Sequence, residues 1–179
     1  GVSTRRAMEV LPVHRFQLST TLCYGPDALA ELSELSGRRV FIVTDGFMVN
    51  TALMARVRDQ LVDAQLAIFD EVQPNPDIDA VAAGLQSYLA FDPQAILAIG
   101  GGSAIDTAKA VRKMAIEQGH HAQSGFYILP TTSGTGSEVS SFAVVTDPKT
   151  HAKLPLESAD MIADVAILDP LALTTMPAH

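Results

Sequence analysis

The chain has 179 residues, enough for one domain with a sizeable core, and its hydrophobic content of 47% predicts a well-packed globular fold. A net charge of −8 argues against nucleic acid as a partner, and no apolar run approaches the length of a membrane span, so no membrane partner is expected. The single Cys23 cannot form an internal disulfide and reads as a small buried hydrophobe in a reducing compartment, the cytoplasm.

Strand and helix patterns then alternate. Residues 1–15 read as a tag or flexible N-terminus, too polar at their start for a signal peptide. A strand is expected over 16–23 and a helix over 26–35, with Pro26 in its first turn. A second strand covers 40–44, and a helix over 51–63 places Leu53, Met54, Val57 and Leu61 on one face. The strand over 66–72 leads into the turn-rich Pro74-Asn75-Pro76 and a helix from 77 to about 90. The apolar run Ala95-Ile96-Leu97-Ala98-Ile99 reads as a buried strand, and Gly100-Gly101-Gly102-Ser103 follows it.

Consecutive glycines at a strand end cost backbone entropy, which points to a close approach of something to the backbone. A phosphate fits, because unpaired N–H groups at the start of a helix bind an anion without a charged side chain. Ser103 and Asp106 have the spacing of a capping box, with Ser103 as N-cap. Beyond them Ala104, Ile105, Ala108, Val111, Met114 and Ala115 recur at helical spacing, which puts Lys109, Arg112 and Lys113 on the outer face. The pattern is not the usual dinucleotide fingerprint, since no G-x-G-x-x-G is present.

A strand at 126–129 precedes a second glycine-bearing loop, Thr131-Thr132-Ser133-Gly134-Thr135-Gly136-Ser137-Glu138. Residues 141–146 and 151–156 flank Asp147-Pro148-Lys149-Thr150 and read as a hairpin, and 165–168 as a last buried strand. The repeated order predicts an α/β fold: a Rossmann-like parallel sheet with helices on both faces and a β-hairpin near the C-terminus, in one domain spanning 1–179.

In open parallel sheets, ligands lie beyond the carboxyl ends of the strands. Asp45 ends the second strand there; it could accept from the ribose hydroxyls of an adenine nucleotide and repel a ribose phosphate, favouring NAD over NADP, or serve only as a turn or N-cap residue. Asn75, held extended between two prolines, could meet a ligand or bond its own backbone. Thr131, Thr132 and Thr135 offer hydroxyls beside the second loop's glycines. Lys109, three residues after Asp106, reads as half of a solvated helical ion pair. The five histidines are scattered or adjacent, with no helical i, i+4 pair, so no metal site and no catalytic residue can be assigned.

Val43-Thr44-Asp45, Pro74-Asn75-Pro76, Gly100-Gly101-Gly102-Ser103 with Asp106 and Lys109, and Pro130 through Glu138 resemble the iron-containing (group III) alcohol dehydrogenases. Val144-Val145-Thr146-Asp147, Lys153, and Ile167-Leu168-Asp169-Pro170 with Pro177 extend the resemblance in family order, and its flavour is that of the propanol dehydrogenases of diol and ethanolamine catabolism. The resemblance implies a cytoplasmic homo-oligomer, with a bacterial microcompartment as an alternative setting, that interconverts small alcohols and aldehydes with NAD. It implies an NAD-binding domain followed by an all-helical domain whose Asp and three His hold Fe²⁺. The sequence reaches His179 before the first such ligand, so the chain is expected to be the cofactor domain alone, inactive by itself.

Carried over by position, Asp45 contacts the adenine ribose, Asn75 lies near the cofactor, Gly101, Gly102 and Ser103 bind the pyrophosphate, and Asp106 is counted among the cofactor-binding residues. Thr131, Thr132 and Thr135 then line the nicotinamide side with Val144 and Lys153. Lys153 has the stronger binding case of the two lysines, since it can reach a ribose hydroxyl or a phosphate. Other readings are a polyol oxidoreductase domain resembling glycerol dehydrogenase, and a non-catalytic module that binds a nucleotide or a partner protein.

Overall fold

The computed structural model describes residues 20–132 and 139–175. The expectations for residues 1–15, for Thr135 and for His179 lie outside them, as does the first half of the expected strand over 16–23.

Six strands form one wholly parallel sheet: β1 (Thr21–Tyr24), β2 (Arg39–Val43), β3 (Gln65–Phe69), β4 (Ala95–Gly100), β5 (Gly125–Pro130) and β8 (Val165–Leu168), in the spatial order β1-β8-β5-β4-β2-β3. Between β5 and β8 the chain makes the antiparallel hairpin of β6 (Phe142–Thr146) and β7 (Lys153–Glu157), a separate two-stranded sheet. The α-helices are α1 (Ala52–Gln60), α2 (Ile78–Phe91), α3 (Gly102–Glu117) and α4 (Pro170–Thr175).

The central strands are continuous apolar runs because both faces of the sheet are covered. Alternate residues supply opposite cores. Ile96 and Ala98 of β4 join Phe41, Val43, Phe126 and Ile128 on the face covered by α2 and α3. Ala95, Leu97 and Ile99 join Val40, Ile42 and Leu129 on the face covered by α1 and the 3₁₀ segment Ala28–Leu35. The α/β expectation, its hairpin included, therefore holds.

Several local expectations need correction. The helix over 26–35 is a 3₁₀ segment whose C-cap Ser36 N–H bonds Ser33 C=O. The helix over 51–63 is shorter, because Thr51 is its N-cap and Arg58 C=O accepts from Leu61 N–H at its end. The strand over 66–72 stops at Phe69; Val72 is buried and sends its N–H across to Thr44 C=O at 3.4 Å. Cys23, on edge strand β1, is half-buried rather than buried.

Lys109 is not on an outer face. It is fully buried, and Arg112 and Lys113 are half-buried. The helical period marks these positions as polar, but segments later in the chain pack over them. Arg112 Nε donates to Asp160 C=O at 3.0 Å, and its guanidinium lies 5.6 Å from the Phe126 ring centroid.

Candidate functional site

Strands β2 and β4 are neighbours, yet their following helices run to opposite faces: α1 to one core and α3 to the other. Such a switch in winding leaves a crevice beyond the carboxyl ends of the two strands. Here it is a pocket of about 180 Å³, lined by Asp45 after β2, Gly101, Gly102 and Ser103 after β4, and Thr131 and Thr132 after β5. Phe47, Val72 and Pro74 add apolar wall.

The loops around this crevice are fixed by bonds across the sheet. Thr44 is fully buried and its hydroxyl donates to Ile99 C=O at 2.8 Å, which ties the end of β2 to the end of β4. Thr131 N–H donates to Gly100 C=O at 2.9 Å, tying β5 to the glycine turn.

The three glycines serve different ends. Gly100 has φ +145, and a Cβ there would lie 2.9 Å from the Ala104 Cβ, so the fold itself requires glycine. Gly101 has φ −87, a conformation open to any residue, and a Cβ on it would make only ordinary contact with Thr132 at 3.5 Å. A Cβ on Gly102 would meet nothing within 4 Å. Among the described residues, neither backbone conformation nor packing requires glycine at 101 and 102, and the backbone at both positions is open to a close approach.

The capping expectation is corrected here. The N-cap of α3 is Gly101, with no side-chain cap, and Ser103 lies inside the first turn. Asp106 does not reach back; its Oδ2 accepts from Val144 N–H on the hairpin at 3.2 Å. The first-turn N–H groups of α3 thus face the crevice without a capping side chain, the arrangement that favours an anion. Burial raises the Asp106 carboxyl pKa above its usual value, while the Val144 N–H and the Lys109 ammonium oppose that rise.

Asp45 is half-buried, and its Oδ1 accepts from Met48 N–H at 2.8 Å. Among the described residues, Oδ2 takes no further hydrogen bond. Asn75 has φ +55 instead of the extended backbone expected before a proline, and its Oδ1 accepts from Lys153 Nζ at 3.2 Å. A second pocket of about 230 Å³ is lined by Asn75, Gly102, Ser103, Asp106, Val144 and Lys153. It shares Gly102 and Ser103 with the first pocket, so the two form one cleft around the start of α3. Thr131 and Thr132 stand at the Asp45 end of this cleft, whereas Val144 and Lys153 stand at the other.

Lys109, expected as a solvated ion pair, donates from Nζ to Ser140 Oγ at 3.0 Å and to Phe142 C=O at 3.1 Å. The hairpin and its approach cover it. Phe47, 60% exposed at the rim of the crevice, was given no role by the sequence, because an isolated aromatic in a loop carries no periodic signal. Among the described residues, no group of three or more His, Cys, Asp or Glu could hold a metal ion. No described helix is long and apolar enough to cross a membrane.

Residues 19–170 match the family model described as iron-containing alcohol dehydrogenase. The chain belongs to the iron-containing alcohol dehydrogenase family. It is 37% identical over 166 residues to 1-propanol dehydrogenase PduQ of Salmonella typhimurium, a match that covers 92% of this chain and 45% of that protein. Among solved structures it is similar to an iron-containing alcohol dehydrogenase from Thermococcus thioreducens, with TM-score 0.81 and 28% identity over 90% of this chain and 48% of that one. It is also similar to sulfoacetaldehyde reductase from Bifidobacterium kashiwanohense in complex with NAD⁺, with TM-score 0.78 and 28% identity, covering 90% of this chain and 47% of that one. The chain spans about half the length of the curated relatives it matches.

Proposed function

We propose that the chain is the NAD(H)-binding part of an iron-dependent alcohol dehydrogenase acting on small primary alcohols and aldehydes. The observation that carries this reading is the open backbone at Gly101 and Gly102, set at the switch point against the uncapped start of α3. A pyrophosphate fits there, taking N–H groups from the first turn of α3. The relative solved with NAD⁺ and the family membership support the same ligand.

Asp45 Oδ2 is assigned to the hydroxyls of the adenine ribose, while Oδ1 keeps the loop in place through Met48. Thr131 and Thr132, with Thr135 by resemblance, are assigned to the cofactor, and the hairpin residues Val144 and Lys153 to its nicotinamide half. Asn75 steadies the Lys153 ammonium at that end of the cleft. When bound, the nicotinamide supplies a hydride acceptor or donor. The family's iron supplies polarisation of the alcohol oxygen, and the described residues hold no ligand set for it. They account for binding and orienting the cofactor and not for activating the alcohol.

Calorimetric titration with NADH and NADPH tests the reading. NADH is expected to bind more tightly, since the 2′-phosphate of NADPH would meet the Asp45 carboxylate. Asp45→Gly should raise NADPH affinity relative to NADH by about tenfold, the scale of one like-charge contact screened nearly as in bulk water. An unchanged preference would overturn the role of Asp45, and absence of binding by both nucleotides would overturn the cofactor reading.

A further inference from the structure

The hairpin pairs with no strand of the main sheet, so the outer edge of β6 needs other partners. Opposite Val144 stands Pro155, which has no N–H, and the backbone groups of β6 that point away from β7 occur at every second residue. These groups meet α3 and the turn before α2. Phe142 C=O accepts from Lys109 Nζ at 3.1 Å, Val144 N–H donates to Asp106 Oδ2 at 3.2 Å, and Thr146 N–H donates to Pro76 C=O at 2.9 Å. Asp106 and Lys109 are three residues apart on one face of α3, and their spacing of about 5–6 Å is close enough to a two-residue step of about 6.6 Å along a strand for long side chains to reach across the difference. Two side chains of a helix thus stand in for the missing neighbour strand. The first turn of the same helix carries the N–H groups at the cleft, and the hairpin supplies Val144 and Lys153 to its far wall.

We propose that Asp106 and Lys109 are positioning residues that hold the β6–β7 hairpin as the wall for the nicotinamide half of the cofactor, instead of contacting the cofactor themselves. This rests on the dinucleotide reading above. A buried ammonium needs partners, and the full burial of Lys109 with Phe142 C=O and Ser140 Oγ among its partners suits a post better than a ligand contact. Releasing the hairpin leaves the wall only partly populated, and apparent affinity falls by that fraction.

The test separates a tether from a charge. Asn at 106 keeps an oxygen that can accept from Val144 N–H, whereas Leu does not. Amide exchange at Val144 should be faster in Asp106→Leu and in Lys109→Met, and unchanged in Asp106→Asn. The two tether-breaking variants should bind NADH about tenfold more weakly, yet bind ADP, which lacks the nicotinamide half, within about twofold of the unsubstituted protein. Asp106→Asn should bind both ligands normally. Loss of NADH affinity in Asp106→Asn equal to that in Asp106→Leu would overturn the proposal in favour of direct contact by the charge. So would a parallel loss of ADP, or slow Val144 exchange in all variants. If the unsubstituted protein binds neither ligand, the dinucleotide reading fails, and Val144 exchange alone still decides whether Asp106 and Lys109 hold the hairpin.

Discussion

At the carboxyl end of the parallel sheet, helix α3 starts without a capping side chain; at the amino end, side chains tie neighbouring segments together. Arg39 at the start of β2 donates from Nε to Asp92 C=O at 3.2 Å and also bonds Phe91 C=O and Gln65, with its guanidinium 4.2 Å from the Phe91 ring centroid. Gln94 Oε1 accepts from Arg39 N–H at 3.0 Å. His120 bridges two segments, with Nδ1 2.9 Å from the Tyr88 hydroxyl and Nε2 2.6 Å from Asp92 Oδ1. Both ends belong to one sheet, so the difference is local chemistry. The amino end commits its polar groups to the fold, and the carboxyl end leaves the first-turn N–H groups of α3 open at the cleft.

Substitutions at neighbouring glycines break the comparison most directly. Gly102→Val should weaken NADH binding at least about 100-fold while Tm stays within a few degrees, because the added side chain enters the cleft and its Cβ meets nothing within 4 Å. Gly100→Ala should do the reverse and cost about 3 kcal/mol of stability, since a Cβ at φ +145 is strained and meets Ala104. Calorimetry and thermal melts on the two variants separate ligand-directed glycine from fold-directed glycine. A large loss of stability in Gly102→Val would show that the carboxyl end is as tightly built as the amino end.

The contrast was unevenly legible in the sequence. Continuous apolar runs marked β4 and β5 to within a residue at each end, and β8 at its observed bounds, because strands buried on both faces need no periodicity. The glycine turn and the hairpin were also plain, and they place most of the candidate site. Lys109 was misread because helical period assigns a face without knowing what lies on it; residues about thirty positions later cover it. Asn75 was misread because the rule for residues before proline gives way to the Lys153 contact and the turn into α2. The amino-end network escaped notice entirely. Tyr88, Asp92 and His120 come from two separate segments and carry no motif spacing, so only the tertiary structure joins them.

An effect of intermediate size sharpens the amino-end half. Tyr88 is buried, and that burial pushes its phenol pKa up to about 12, with the Asp92 charge adding and Arg112 opposing. A raised phenol pKa means that the folded state favours the neutral form. The corresponding stability is intact below the ordinary tyrosine pKa of about 10 and is lost as pH rises toward about 12. Tyr88→Phe should cost about 1–2 kcal/mol at neutral pH by removing the bond to His120. It should also remove the alkaline loss, so the two denaturation curves converge between pH 10 and 12. A constant gap across that range would show that Tyr88 does not titrate within the fold.

The smallest effect belongs to the hairpin post on the cleft side. The Asp106 pKa is raised, mainly by burial, so its ionised form is less favourable in the folded state than in the unfolded chain. The sign follows from linkage: the group's contribution is most favourable below the ordinary carboxylate pKa and declines as pH rises through the folded value. At neutral pH the folded protein therefore carries a small penalty for holding Asp106 charged, offset in part by Val144 N–H and Lys109. Asp106→Asn mimics the neutral acid and keeps an acceptor for Val144. It should show a slightly higher Tm than the unsubstituted protein at pH 7, and the advantage should vanish as pH falls below about 4. A variant less stable at pH 7 whose deficit shrinks in acid would mean that Lys109 and Val144 stabilise the carboxylate more than burial opposes it, reversing the direction assigned to its pKa.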